Sequence, residues 1–357
     1  IGEHTDYNGG LVLPAAIDLE IRLAVMPTDD RRVEITLLST GERGGFDLDA
    51  LPPASGGWLD YVAGTAWSLA GAGLKLRGFR AVLASSLPVS AGLSSSAALE
   101  MAAAWALLDP PDLAAQGIDG MDLARLAQHA ENDYVGVMCG LMDQFASSLG
   151  RRGAAMLLDC RSLDYRPVRL PLAEHVVVVC DSASPRRLGT SEYNARRAQC
   201  ERAVAVIAET DPDVHSLREV SLERLAAAGD RLDEETVRRC EHVIRENERV
   251  RKAVLAFESG DLAWVGRLFA ESHASLRDLF EVSSAELDAL VEIASGVPGV
   301  VAARMTGAGF GGCTVNIVAR AAVESLTAAV AARYPPQTGL RARVFVVEPA
   351  DGAGLLV

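Results

Sequence analysis

The spacing of apolar and polar positions alternates between strand-like and helix-like segments along the whole chain. Residues 11–26, LVLPAAIDLEIRLAVM, alternate in part and are rich in leucine and β-branched side chains, which predicts strand structure; another strand is expected at 33–38. A turn-rich stretch at 40–57 precedes a helix over 58–71, where Trp58, Val62, Thr65, Ala66 and Leu69 recur at helical spacing. A buried strand is expected at 79–86, then helices at 95–108, 121–135 and 142–149, and a strand at 154–159. The second half opens on the apolar strand 175–181 and continues through helices at 191–209, 234–259 and 261–280. Strands at 299–305 and 312–319, a helix at 321–333 and a strand at 341–347 complete it.

Mixed strands and helices in both halves predict an α+β fold of two domains with a cleft between them, and 357 residues suffice for two cores. The segment 160–174, CRSLDYRPVRLPLAE, reads as a linker, so the boundary is set near residue 165, giving domains 1–165 and 166–357. The formal charge of −14 offers no basic footprint for nonspecific nucleic-acid binding. Cys139, Cys160, Cys180, Cys200, Cys240 and Cys313 show no Cys-x-x-Cys spacing and read as reduced thiols, not as a zinc site or a disulfide framework. Charges or glycines interrupt every apolar run before membrane-spanning length, and no basic-then-apolar leader is present; a cytoplasmic location is expected.

Candidate chemistry concentrates in a few segments. Ser90–Glu100, SAGLSSSAALE, follows a strand-like run and opens an alanine-rich helix. Gly92 permits close backbone approach, and Ser94, Ser95 and Ser96 bring hydroxyls and N–H groups to a helix N-terminus, where unpaired donors and the helix dipole favour an anion. Serine also caps helices, but three in succession exceed what capping needs. Glu131 lies near a helix C-terminus, an electrostatically awkward place for a carboxylate, which favours a functional reason over a solvated one. Asp143 in CGLMDQFAS reads equally well as a catalytic base or as the N-cap of helix 142–149. Glu3, His4 and Asp6 make a set suited to a polyol, since carboxylates accept several hydroxyl hydrogen bonds and imidazole donates or accepts. A metal site at His4 lacks a second histidine at ligand spacing. Gly307, Gly309, Gly311 and Gly312 form a turn between two strands, read as supporting structure, while Trp58, Tyr61 and Trp105 read as core.

Together IGEHTDYNGG at the start, the serine loop, and MTGAGFGGCTV at 305–315 resemble the GHMP kinases, and GEHTDYN narrows the resemblance to the galactokinase family. CGLMDQFAS at 139–147, SEYNARRAQC at 191–200 and ESHASLRDLFEVS at 271–283 agree, so the likeness spans nearly the whole chain. The resemblance implies a ribosomal-protein-S5-like N-terminal domain, a ferredoxin-like C-terminal domain, and ATP-dependent phosphorylation of α-D-galactose at its anomeric oxygen. It implies Asp143 as the base, and Glu3, His4, Thr5, Asp6 and Tyr193 as sugar ligands. ATP would lie on Ser90, Ala91, Gly92, Leu93, Ser94, Ser95 and Ser96, with Mg2+ on Ser96 and Glu131. A monomer is expected, without nucleic-acid or membrane partners. A related sugar-1-kinase would differ around Glu3–Asp6 and Tyr193, and a silent galactose sensor would lose part of the serine loop; neither departure is present. The family signature continues upstream as GRVNL, with an arginine four residues before Ile1. The sequence is therefore expected to be a fragment, slower than an extended chain by roughly 10²–10³ for one missing transition-state donor.

Overall fold

The computed structural model describes residues 1–88, 92–184 and 189–356, without the side chains of residues 111, 112, 114, 190 and 191. Its strands are β1 (Leu11–Val12), β2 (Ile21–Thr28), β3 (Arg32–Leu37), β4 (Arg43–Asp47), β5 (Gly78–Ser85), β6 (Ala154–Asp159), β7 (Tyr165–Arg169), β8 (His175–Asp181), β9 (Val300–Thr306), β10 (Cys313–Ala319) and β11 (Arg343–Val347). The helices are α1 (Leu59–Gly71), α2 (Ser95–Leu107), α3 (Pro110–Gln116), α4 (Gly120–His129), α5 (Met142–Leu149), α6 (Gly189–Ala208), α7 (Leu222–Ala228), α8 (Glu234–Ser259), α9 (Leu262–Asp278), α10 (Ala285–Ser295) and α11 (Val323–Thr338).

Contacts divide the chain into two units. One holds residues 16–88, 94–151 and 350–356; the other holds Ile1–Ala15, Gly92, Leu93 and Arg152–Pro349. The chain thus changes unit after residue 151, ahead of the linker expected at 160–174, because β6 and β7 pair with each other and β6 pairs with β1.

In the first unit, β2 runs antiparallel to β5, β5 parallel to β3, and β3 antiparallel to β4. One face of this sheet meets α1 and α2 over a core that includes Val33, Ile35, Phe46, Val62, Leu69, Phe79, Met101 and Leu107. Four of the six alanines of α2 (Ala97, Ala103, Ala104 and Ala106) are buried, and their small side chains let neighbouring elements pack close. Strand β4 falls inside the expected turn region. Its Gly44 and Gly45 carry no alternation to read, yet a Cβ on Gly45 would lie 2.5 Å from the Val33 carbonyl across the pair.

In the second unit, β11, β8, β10 and β9 form an antiparallel sheet in that order. Numbered among themselves, these strands lie 4-1-3-2, the ferredoxin-like arrangement that the resemblance implied. Helices α10 and α11 bury Leu290, Ile293, Leu326 and Val330 against Val178 and Val318 of the sheet. Helices α8 and α9 form a tight hairpin: Gly260 ends α8 at φ 74°, and Asp261 caps α9 by accepting from Trp264 N at 2.8 Å.

Other departures have local causes. The apolar stretch 11–26 divides into β1 and β2, which belong to different sheets. β7 is an edge strand whose only buried residue is Val168, so it shows no apolar alternation, and Pro167 is tolerated there. α11 runs through Pro335 and Pro336 to Thr338, where Gly339 at φ 73° ends it. Buried Tyr334 anchors that turn by donating its hydroxyl to the Ser182 carbonyl at 2.8 Å. The expected helix 121–135 becomes α4 followed by a wider π-type turn over Ala130–Val135. α3, α7 and α10 were not expected. In the glycine turn, Gly309 has φ +81°, and a Cβ there would lie 2.2 Å from the Val282 carbonyl. Gly309→Ala is expected to destabilise the protein by about 2–4 kcal/mol, measurable by urea unfolding.

Candidate active site

The opening segment folds into a tight loop. His4 adopts the left-handed conformation at φ 65°, unusual for a residue with a side chain, and its carbonyl accepts from Asn8 Nδ2 at 2.9 Å. Thr5 is fully buried, its hydroxyl 2.7 Å from both the Gly2 and Leu11 carbonyls, so it ties the loop together. Asp6 heads a 3₁₀ turn, Asp6–Asn8, and is half-buried.

Glu3 is buried, and its carboxylate ion-pairs with the equally buried Arg304 of β9. Its Oε1 also accepts from Thr306 Oγ1 at 3.1 Å. Burial alone would raise this carboxyl, but the Arg304 charge, then the ammonium at Ile1, and hydrogen bonds from Arg304 and the Glu3 backbone outweigh it and lower the pKa to about 2. His4 Nε2 lies 3.2 Å from the Ala308 carbonyl and Nδ1 lies 2.9 Å from the Tyr7 hydroxyl. A carbonyl can only accept, so Nε2 carries the proton and Nδ1 accepts from Tyr7. Burial lowers the His4 pKa to about 3, so the ring is neutral. Tyr193 of α6 stands 5.4 Å from the His4 ring and 5.5 Å from Tyr7, and Phe280 is 4.6 Å from His4 on its way to His242. The structure therefore gathers Glu3, His4 and Tyr193 in one unit, with Asp6 on the same loop.

The other unit gathers Ser94, Ser95 and Ser96 with the acidic residues, while Gly92 and Leu93 belong to the unit of the opening loop. Ser94 precedes α2 at φ 52° and makes no side-chain capping bond, so the first N–H groups of the helix are left without the usual cap. Gly92 has φ 72°; Ser90 and Ala91 lie outside the described residues. Ser96 hydrogen-bonds Glu131, which sits buried in the π-type turn, a widening often found at functional positions. Gln144 Nε2 donates to Glu131 Oε2 at 2.6 Å and to Glu100 Oε2 at 3.0 Å, and Cys139 Sγ donates to Glu131 at 3.5 Å. Asp143 lies in the first turn of α5, one position inside it; the capping position belongs to Leu141, so capping is not its role. Burial, then the charge of Asp143, pushes the Glu131 pKa up to about 7. Glu100, fully buried, is raised well above the usual range by burial and then by Glu131. Tyr61, read from the sequence as core, is raised to about 12 by burial and by the charges of Glu131 and Glu100, so it faces this group.

Three sequence profiles match this chain: the galactokinase galactose-binding signature at residues 1–27, the GHMP kinases N terminal domain at 60–151, and the GHMP kinases C terminal at 253–336. A galactokinase from Roseiflexus sp. (strain RS-1) is 44% identical over 354 residues, 99% of this chain and 90% of the relative. The crystal structure of Lactococcus lactis galactokinase complexed with galactose superposes with a TM-score of 0.93 at 38% identity, covering 100% of this chain and 92% of that one. The chain belongs to the galactokinase family. Mevalonate kinase from Methanococcus jannaschii shares the fold, with a TM-score of 0.65 at 16% identity over 98% of this chain and 95% of that one.

Within this galactokinase fold, three residues matter to the geometry that the sequence reading did not single out. Glu100 was legible as a lone carboxylate on an otherwise apolar helix, four residues after Ser96. Arg304 was legible as a charge inside an apolar strand, VVAARMT. Gln144 gave no signal beyond standing next to Asp143.

Proposed function

We propose that this chain transfers the γ-phosphoryl group of ATP to the anomeric oxygen of galactose, giving galactose 1-phosphate and ADP. What supports this is the chemistry that each unit carries, taken by itself. One presents a buried, ionised Glu3 beside a neutral His4 and Tyr193, hydrogen-bonding groups suited to sugar hydroxyls. The other presents an uncapped helix start and a buried carboxylate set, suited to phosphates and a divalent cation.

The residues take distinct parts. Glu3, His4, Asp6 and Tyr193 take sugar hydroxyls, and Thr5 shapes the loop that carries them. Phosphates lie on the backbone and hydroxyls of the Ser90–Ser96 loop. Asp143 accepts or orients the proton of the anomeric hydroxyl, which needs a carboxylate within hydrogen-bond reach. Ser96 and Glu131 fit a magnesium ion: buried carboxylates with raised affinity for a proton have equal cause to take a cation, and Glu100 Oε1 is buried with no hydrogen-bond partner among the described residues. Among the described residues no three His, Cys, Asp or Glu side chains are grouped to hold a metal by themselves. Magnesium supplies charge neutralisation of the transferring phosphoryl group. The proposal places the protein in the cytoplasm; none of its six cysteines forms a disulfide, and no helix among the described residues is long and apolar enough to cross a membrane.

Coupled ADP release with Mg-ATP tests the reading. Galactose should support turnover, with glucose and mevalonate much poorer. Turnover with another sugar alone would keep a kinase and discard the substrate. Binding of ATP and galactose without turnover, in this chain and in one extended upstream, would point instead to a sensor.

A further inference from the structure

Strand β9 carries a guanidinium in its fully buried interior. Arg304 is 0% exposed, yet Nε and Nη1 have no hydrogen-bond partner among the described residues. Its Nη2 reaches Glu3 Oε2, and its carbon centre lies 5.5 Å over the Phe269 ring. Burying an arginine this sparsely bonded is costly, so its one ionic contact calls for an explanation. The second buried pair nearby does not supply it. Glu246 is already occupied by Arg249 Nε at 2.6 Å, Ser272 Oγ at 2.7 Å and Gly2 N at 3.2 Å.

Thr306 follows Arg304 by two residues on the same strand, so both side chains project to the same face. Between them they occupy one site on each oxygen of the Glu3 carboxylate. His242 Nε2 holds the Glu3 carbonyl at 3.2 Å. A carboxylate accepts about four hydrogen bonds; Arg304, Thr306 and the backbone N–H of Glu3 itself take three, which leaves one acceptor direction.

We propose that Arg304, with Thr306, is a positioning residue that presents Glu3 to the sugar as a fixed hydrogen-bond acceptor and so sets discrimination for one sugar hydroxyl. The inference rests on Glu3 being a sugar ligand, as proposed above. Burial by itself favours the protonated form of Glu3, which would donate from one oxygen; the Arg304 charge is the largest influence against that preference. Thr306 fixes the rotation of the group.

The test compares galactose with its monodeoxy analogues, by kcat/KM with Mg-ATP and by calorimetric sugar binding. In the unmodified protein, the analogue lacking the hydroxyl taken by Glu3 should be disfavoured by about 10² or more. Glu3→Gln identifies that analogue by erasing its disadvantage. Arg304→Met should shrink the same ratio by about tenfold and Thr306→Val by about threefold, with the KM for ATP unchanged. If Glu3→Gln leaves every ratio intact, the reading of Glu3 as a sugar ligand falls. If Glu3→Gln erases one ratio while Arg304→Met and Thr306→Val leave it alone, the positioning role falls. Should Arg304→Met fail to fold, Thr306→Val decides by itself, because its hydroxyl is only part-buried and the change is nearly isosteric.

Discussion

Replacing Asp143 with asparagine is expected to reduce galactose-dependent turnover by about 10²–10⁴ while ATP still binds. The substitution keeps the shape of the side chain in the first turn of α5 and removes its basicity. It also removes a negative charge that, after burial, is the main reason the Glu131 carboxyl is pushed up. Glu131 should therefore ionise more readily in the variant, and Mg-ATP affinity should stay level or rise. Calorimetry with Mg-ATP and single-turnover kinetics separate the two effects. Wild-type turnover in this variant would remove Asp143 from the chemistry.

Stripped of divalent cations, the protein should lose stability through Glu131 as pH rises. Burial and Asp143 lift this carboxyl from 4.5 to about 7. Between those values the unfolded chain has released the proton and the folded chain still holds it, so the unfolded state binds fewer protons and stability declines with increasing pH. The loss is absent below about pH 4.5 and complete above about pH 7. Its size is about 2–3 kcal/mol, since each pKa unit corresponds to about 1.4 kcal/mol and the neighbouring Glu100 is shifted with it. Glu131→Gln should therefore gain about that much on the unmodified protein between pH 5 and pH 8, read by urea unfolding in chelator. Magnesium with nucleotide should restore the unmodified protein at pH 8 and do little for the variant. An equal stability difference at both pH values would show that the carboxyl is not shifted.

The two expectations differ in how far the sequence anticipated them. Asp143 stood out as an acidic residue at a helix start, and the sequence left open whether it capped the helix. The backbone settled that point by placing Leu141 at the cap. Glu131 stood out because a carboxylate suits the C-terminal end of a helix poorly. Its burial and its contacts with Ser96, Gln144 and Cys139 come from segments separated in sequence, so no local pattern could reveal them.

The elements followed the same division. Strands with buried alternate faces and helices with apolar stripes were legible because burial imprints a period on the sequence; α5, β6, β8 and α8 match their expected bounds. Strands β4 and β7 were not, since β4 carries two successive glycines and β7 buries only Val168, so neither shows a side-chain period.

By itself the sequence determined the α+β class, the resemblance to the galactokinase family, and the chemical types gathered in its motifs. Each is written in composition, periodicity or contiguous residues. Only the tertiary structure decided that the opening loop belongs with the C-terminal unit, through β1 on β6 and Glu3 on Arg304. It alone decided which carboxylates are held ionised and which are pushed toward the proton. Glu3 and Glu131 are both buried glutamates; the first meets a guanidinium and the second meets other carboxylates. A carboxyl's charge depends on burial and on the sign of its neighbours in space, and those neighbours come from distant parts of the chain.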